Sequence, residues 1–234
     1  MAGEDPTQRR FYDRFDLVFI VTIATVGLLL LVDINQDDGL AEVLAVAVTI
    51  LTAATLLLAV AAAGIGRRGF QFAWISSGLT VAASIGAALI QQPGINRTGL
   101  LWLILVFAAP VIALRRLMHH REITGATILG AISVYLLLSL AATYLFLFID
   151  TSFGGSGRFF GESEPTTVFM YFSLVTIASL GYGDFAPVTE AGRAAAVWEA
   201  VTGQIYLVVV VARLVTLYGG RTMRMSDSRS SRGD

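Results

Sequence analysis

The sequence contains no cysteine and no lysine, and it has few charged residues of either sign. Without cysteine, neither a disulfide nor a cysteine-ligated metal site can form. Charged residues make up 14% of the chain and hydrophobic residues 56%, whereas soluble domains average about 25% charged residues. This composition excludes an ordinary soluble domain and predicts an all-α integral membrane protein.

Six apolar runs reach or approach the length of a membrane helix, about 20 residues at about 1.5 Å each. They are residues 17–32, 41–65, 70–90, 100–117, 123–149 and 194–218. The first run is as short as the core of a signal peptide, but acidic residues precede it and no small-residue cleavage pattern follows. We therefore interpret it as a retained first span.

A seventh, shorter run covers Thr166 to Ala178. It would extend only about 20 Å as a helix, which is too short to cross a bilayer. Pro165 gives it a start signal. The pattern predicts a re-entrant helix between the fifth and sixth spans.

The arginines predict the orientation of the spans. If the amino terminus is cytoplasmic, only Arg97, Arg158 and Arg193 of the sixteen fall outside. The positive-inside rule then favours a multi-pass protein of the plasma membrane with both termini in the cytoplasm. Acidic residues map to the outside, where they would concentrate cations: Asp33, Asp37, Asp38, Glu42, Asp150, Glu162, Glu164, Asp184 and Glu190.

These patterns divide the chain into four parts. Residues 1–15 form a cytoplasmic amino terminus, and residues 16–118 form a domain of four membrane helices. Residues 119–219 contain the last two spans and the re-entrant helix. Residues 220–234 are short of apolar residues and are predicted to be a disordered cytoplasmic tail.

Residues 179–183, Ser-Leu-Gly-Tyr-Gly, interrupt this apolar region. Non-helical backbone at membrane depth survives only where protein buries it or where it lines a watery path. Gly181 and Gly183 can adopt positive φ at little cost, which lets successive carbonyl groups turn toward one axis. The segment resembles the Thr-Val-Gly-Tyr-Gly filter of potassium channels, whose carbonyl oxygens replace the water shell of the ion.

The surroundings resemble the pore module of the two-helix pore family of potassium channels, especially its prokaryotic members. The corresponding parts are an outer helix at 123–150, a pore helix at 166–178, the filter at 179–183, Asp184-Phe185-Ala186-Pro187, and an inner helix at 189–219. Four additional membrane helices precede this module. The resemblance implies a homotetramer around a central pore, because one chain supplies only a quarter of each oxygen cage.

The resemblance also implies which residues bind K⁺ ions. They are Ser179, Leu180, Gly181, Tyr182 and Gly183, with Asp184 at the outer mouth. The ring of Tyr182 is expected to pack behind the filter against Tyr171 and Phe172, and Thr176 is a further filter support. Membrane lipids surround such a protein, and we expect no organic cofactor, soluble ligand or nucleic acid partner.

The filter departs from the family pattern at two positions. Ser179 replaces threonine, which keeps the hydroxyl but loses the methyl that restricts χ1. Leu180 replaces valine. The number of carbonyl groups is unchanged, so we expect a potassium-selective channel; a weakly selective cation channel is the alternative.

Three inner-helix residues are candidates for gating or conduction. Gly203 is either a flexible hinge or a site of close packing against the pore helix. Gln204 is expected to face the cavity. Glu199 lies about 140° around the helix from Gln204, so it faces protein, either as a functional carboxylate or bonded to pore-helix hydroxyls such as that of Thr176.

The fourth run argues against voltage gating, because Leu100 to Leu114 contains no charge and a sensor needs arginines within the membrane. Pro110 is expected to kink or break this helix. His119 and His120, in the following linker, are either proton sensors or exposed bystanders. The sequence does not identify the gating stimulus.

Two rival functions remain. Gly181-Tyr182-Gly183-Asp184 also matches the Gly-x-Gly-Asp of intramembrane aspartyl proteases, which need two carboxylates in one membrane site. The Tyr-Asp partner occurs only as Tyr12-Asp13, ahead of the first span, so we predict no enzyme. A non-conducting regulatory subunit with a pore-like fold is the other alternative.

Overall fold

The computed structural model describes residues 15–31, 40–62, 71, 74–75, 78, 99–119, 125–152 and 159–230. The regular secondary structure of these residues is helical and contains no strand, as the all-α prediction requires. The helices are α1 (Phe15–Leu31), α2 (Leu40–Ala62), α3 (Gly99–His119), α4 (Gly125–Ser152), α5 (Thr166–Ile177) and α6 (Glu190–Ser230).

Two helices in the described part of the chain are long and apolar enough to cross a membrane. They are Gly125–Thr151, within α4, and Glu190–Val210, within α6. At about 1.5 Å per residue each reaches the roughly 30 Å of a hydrocarbon core. The six-span arrangement as a whole stays a prediction. Most of the third predicted span, 70–90, and residues 1–14 lie outside the described residues.

The amino-terminal helices pack on the outer helix of the same chain. Helices α1 and α3 each contact α4, and α2 contacts α1 and α3. Within this apolar core, Thr25 and Thr55 share a 2.6 Å hydrogen bond between α1 and α2. The hydroxyl of Tyr144 on α4 donates to Thr52 at 3.3 Å. Such bonds contribute about 0.6 kcal/mol each in membrane proteins, so they orient helices that apolar packing holds together.

Helix α5 packs between α4 and α6 and contacts both. Near the amino-terminal end of α4, the hydroxyl of Tyr206 on α6 donates to the carbonyl of Ala131. The guanidinium of Arg213 on α6 donates to the carbonyl of Met118 in the last turn of α3, where carbonyl groups lack helical partners. Helices α3, α4 and α6 are therefore joined at one end of the molecule.

The described helices differ from the sequence predictions at two places. Pro110 lies inside α3 without ending it, because a proline removes only one backbone donor and neighbouring helices bury the site. Helix α6 continues to Ser230, where we expected disorder from residue 220. Arginine and methionine, which are good helix formers, are frequent after Gly220 and extend the helix that packing has started; residues 231–234 lie outside the description.

Candidate functional site

Helix α5, which the sequence predicts to be re-entrant, begins and ends where expected to within one residue. Pro165, with φ of −69° and ψ of 160°, is its N-cap, and the helix ends at Ile177. Two loop amides bond back to the last turn: Ser179 N–H to the carbonyl of Thr176 at 3.0 Å and Leu180 N–H to that of Val175 at 2.9 Å. The following loop therefore starts from a fixed position on the helix end.

Positive φ alternates along this loop. Ser179 has φ of 56°, Gly181 of 56° and Gly183 of 81°, while Leu180 and Tyr182 keep negative φ. Alternation of this kind allows successive carbonyl groups to turn toward one side. Within the described residues, none of the carbonyls of 179–182 accepts a backbone hydrogen bond. The loop thus presents a row of free oxygens, which at membrane depth requires a polar path beside it.

An aspartate lies immediately after these oxygens. The hydroxyl of Tyr171 on α5 donates to Asp184 Oδ2 at 2.7 Å, and the Phe185 N–H donates to Asp184 Oδ1 at 3.1 Å. The Tyr171 hydroxyl is the main reason that the pKa of Asp184 lies below its ordinary value. This exposed carboxylate is therefore ionised at neutral pH and places negative charge at the end of the loop.

The aromatic residues near the loop divide into an exposed tyrosine and a buried phenylalanine cluster. Tyr182 is 67% exposed within one chain, and Phe172 packs instead against Phe146, with ring centroids 5.4 Å apart. Phe159 and Phe160 complete this cluster. The Phe172 side chain therefore lies on the side of α5 that packs against α4. The packing of Tyr182 behind the loop against Tyr171 and Phe172, with Thr176 as a further support, stays a prediction.

Asp150 also has a different role from the one predicted. It is only 4% exposed, and its Oδ1 accepts the Phe159 N–H at 2.8 Å. It therefore fixes the chain that follows α4 and does not belong to an exposed acidic mouth. Glu162, Glu164 and Asp184 instead line an open pocket of about 380 Å³ on the surface.

The carboxyl end of α5 is held by two neighbouring helices. A Cβ placed on Gly203 of α6 would lie 2.6 Å from Ile177 Cγ1 and 2.9 Å from the Ile177 carbonyl oxygen. The hydroxyl of Tyr135 on α4 donates to that same carbonyl at 2.8 Å. Of the two interpretations of Gly203, the contacts favour close packing against the pore helix.

Glu199 faces protein, as the helical geometry predicts, and is 7% exposed. Its partner is Ser173 on α5, one turn before Thr176. The Ser173 oxygen also lies 2.7 Å from the carbonyl of Ser139 on α4. These contacts join α4, α5 and α6 in the middle of the pore region.

The hydrogen-bond donors around Glu199 indicate the protonation state of its carboxyl group. The Ser173 oxygen contacts Glu199 Oε1, the Ser139 carbonyl and, at 2.8 Å, the Ser139 hydroxyl, which can donate to it. The single Ser173 proton can serve only one acceptor, and the Ser139 carbonyl cannot donate. The other carboxylate oxygen, Oε2, has no partner among the described side chains. A buried carboxylate with one bare oxygen would cost several kcal/mol. We therefore assign a neutral acid whose O–H donates to Ser173.

Gln204 lies on the exposed side of α6, as expected for a cavity residue. Its Nε2 donates to the hydroxyl oxygen of Ser179 at 2.7 Å. Helix α6 thus contacts the loop through the Gln204 side chain and contacts the last residue of α5 through Gly203. Asp13, the second carboxylate that a protease would need, lies outside the described residues.

Sequence reasoning missed the roles of Tyr135 and Ser173. The available signal for Tyr135 is that a tyrosine in the middle of an apolar span needs a partner for its hydroxyl. Sequence alone does not show which carbonyl accepts it. The carboxyl end of the pore helix, with its unpaired carbonyls, is the acceptor that the fold supplies.

Residues 131–219 match the family model described as an ion channel. The match includes most of α4, all of α5, the loop with its free carbonyls, and α6 as far as residue 219. It covers less than half of the chain and does not include α1, α2 or α3. Sequence similarity and geometry thus support an ion-channel pore in this part of the protein, and they favour transport over catalysis.

Proposed function

We propose that the protein is a potassium channel that conducts K⁺ passively across the plasma membrane of a prokaryotic cell. The alternating positive φ at Ser179, Gly181 and Gly183 is the observation that supports this most strongly. It leaves a row of carbonyl oxygens free to coordinate a dehydrated cation. K⁺ ions in this row are the cargo, and no organic cofactor takes part.

The proposed assembly is a homotetramer, since one row of oxygens cannot surround an ion. Several apolar side chains are exposed in a single chain and are available for contacts with other chains. Leu180 is 58% exposed and Tyr182 67% exposed. The inner helix also leaves large apolar side chains uncovered: Val197, Trp198, Val201, Ile205, Val208 and Val209. Apolar surfaces of this kind face either membrane lipid or neighbouring chains.

The pore helix adds electrostatic support. The aligned peptide dipoles of α5 place partial negative charge, roughly half an elementary charge, at its carboxyl end. That end lies directly before Ser179. Four such ends around a central cavity would stabilise a cation before it enters the oxygen row.

The proposed channel is not gated by a conventional voltage sensor. Helix α3 is the last helix before the pore, and it contains no charged residue before Arg115. Charges must lie within the membrane field if the potential is to do work on them. The mainly apolar α3 therefore serves to pack against α4 in this proposal.

Potassium flux into liposomes tests conduction. Purified protein is expected to allow K⁺ uptake driven by a concentration gradient, while Gly181→Val abolishes it, because a β-branched residue at φ of 56° is strained. The matched control is Gly27→Val on α1, where an added Cβ meets no atom within 4 Å. This control is expected to conduct like the wild type.

The other functions predict other results in the same assay. Equal Na⁺ and K⁺ fluxes would favour a weakly selective cation channel. An assembled wild-type protein that passes neither ion would favour a non-conducting regulatory subunit and would contradict the proposal. Flux through Gly181→Val equal to that of the wild type would show that the path lies elsewhere.

A further inference from the structure

Two features of Ser179 leave the direction of its hydroxyl group weakly determined. Among the described residues, it is the one non-glycine residue with positive φ, at 56°, a conformation that costs roughly 1–2 kcal/mol. Serine also lacks the second Cβ substituent that restricts χ1 in threonine. Some other contact must hold the hydroxyl if its oxygen is to face one direction.

Gln204 supplies such a contact from the inner helix. Its Nε2 lies 2.7 Å from Ser179 Oγ and donates to it. The preceding residue, Gly203, is fixed against the side chain and carbonyl of Ile177. The distance between the glutamine backbone and the loop is therefore set by close packing, and the side chain spans a fixed gap.

We propose that Gln204 is a positioning residue for the innermost cation site, which it completes by fixing the Ser179 hydroxyl oxygen toward the ion. A hydroxyl has two lone pairs and one proton. When the amide occupies one lone pair, rotation about χ1 is restricted and the second lone pair can face the cation. The hydrogen bond thus performs the function of the missing methyl group. This inference rests on the proposed function, since it requires a cation beside Ser179.

Barium block tests this role, because Ba²⁺ is close to K⁺ in size but doubly charged, so it binds the same oxygens more tightly. Gln204→Met keeps the side-chain length and removes the donor. With a net contribution of about 1 kcal/mol per hydrogen bond, we expect block by cytoplasmic Ba²⁺ to weaken about fivefold. Gln71→Met, at an exposed helical position outside residues 131–219, is the matched control and should retain wild-type block.

A double-mutant cycle separates positioning from simple stabilisation of the fold. Ser179→Ala removes the hydroxyl without adding a β-branched side chain at φ of 56°. If Gln204 acts only through this hydroxyl, adding Gln204→Met to Ser179→Ala is expected to weaken block by no more than about twofold further. A structural role for Gln204 predicts instead that the two effects on block add and that Gln204→Met lowers the thermal midpoint of the particle. If Gln204→Met does not assemble, Gln204→Asn, which keeps the amide but falls one methylene short of Ser179, provides the same test.

The two levels of the proposal fail in different ways. Wild-type protein that carries no K⁺ in liposomes would contradict the channel itself. Wild-type protein that conducts, together with Gln204→Met that shows unchanged barium block, would overturn only the role of Gln204. Effects of Ser179→Ala and Gln204→Met on block that simply add would also overturn it.

Discussion

Gly203→Ala is expected to abolish K⁺ conduction and to destabilise the assembled particle. The added Cβ would lie 2.9 Å from the carbonyl oxygen of Ile177 and 2.6 Å from its Cγ1. A side chain can rotate away, but a backbone oxygen moves only with its helix. Helices α5 and α6 must therefore separate, and overpacking of this kind costs about 1–3 kcal/mol at each site. In the proposed tetramer the change occurs four times.

The measurement is the thermal midpoint of the detergent-solubilised particle, read as loss of the tetramer peak in size-exclusion chromatography, together with K⁺ flux. Gly27→Ala is the control, because its Cβ meets no atom within 4 Å and alanine favours a helix by about 1 kcal/mol over glycine. A hinge role for Gly203 predicts a different pattern, with an unchanged midpoint and altered opening only. That pattern would contradict the packing account.

Glu199→Lys is expected to prevent assembly, while Glu199→Gln is expected to retain both stability and conduction. Glu199 is 7% exposed between α5 and α6, and lysine at the centre of a membrane helix costs about 2.5–3.5 kcal/mol. Glutamine has the same shape as the neutral acid and can donate its N–H to Ser173. The substitution therefore preserves the hydrogen bond that the protonated carboxyl makes.

The thermal midpoint and K⁺ flux of the glutamine variant decide between a neutral and an ionised carboxyl. Unchanged values for both are the expected result. If Glu199→Gln assembles normally but loses conduction, the pore requires the negative charge, and the proton count at Ser173 is wrong. Glu190→Gln, at an exposed position in the first turn of the same helix, is the control for stability and should keep the wild-type thermal midpoint.

The sequence predicts the pore region well because strong local signals determine it. Pro165 and the apolar run from Thr166 define α5 to within one residue. Glycine at 181 and 183 predicts the positive φ that the loop adopts. Glu199 and Gln204 face different directions, as 3.6 residues per turn require. These features depend on residues close in sequence, which is why a pattern alone is sufficient.

The remaining features depend on which helices meet. Ser173 and Thr176 are three residues apart and share one side of α5, so sequence cannot decide which hydroxyl reaches Glu199. The contact between Tyr135 and Ile177 spans 42 residues and exists only because α4 crosses the end of α5. Positive φ at Ser179 has no sequence signal, because serine has no preference for that conformation.

The reversal potential between equal concentrations of K⁺ on one side and Na⁺ on the other tests the central claim most directly. It is measured on purified protein in a planar bilayer. If the carbonyls of residues 179–182 form a selective oxygen row, the reversal potential lies far toward the K⁺ equilibrium potential. A reversal potential near zero with measurable current would show equal permeability and would contradict a potassium-selective pore.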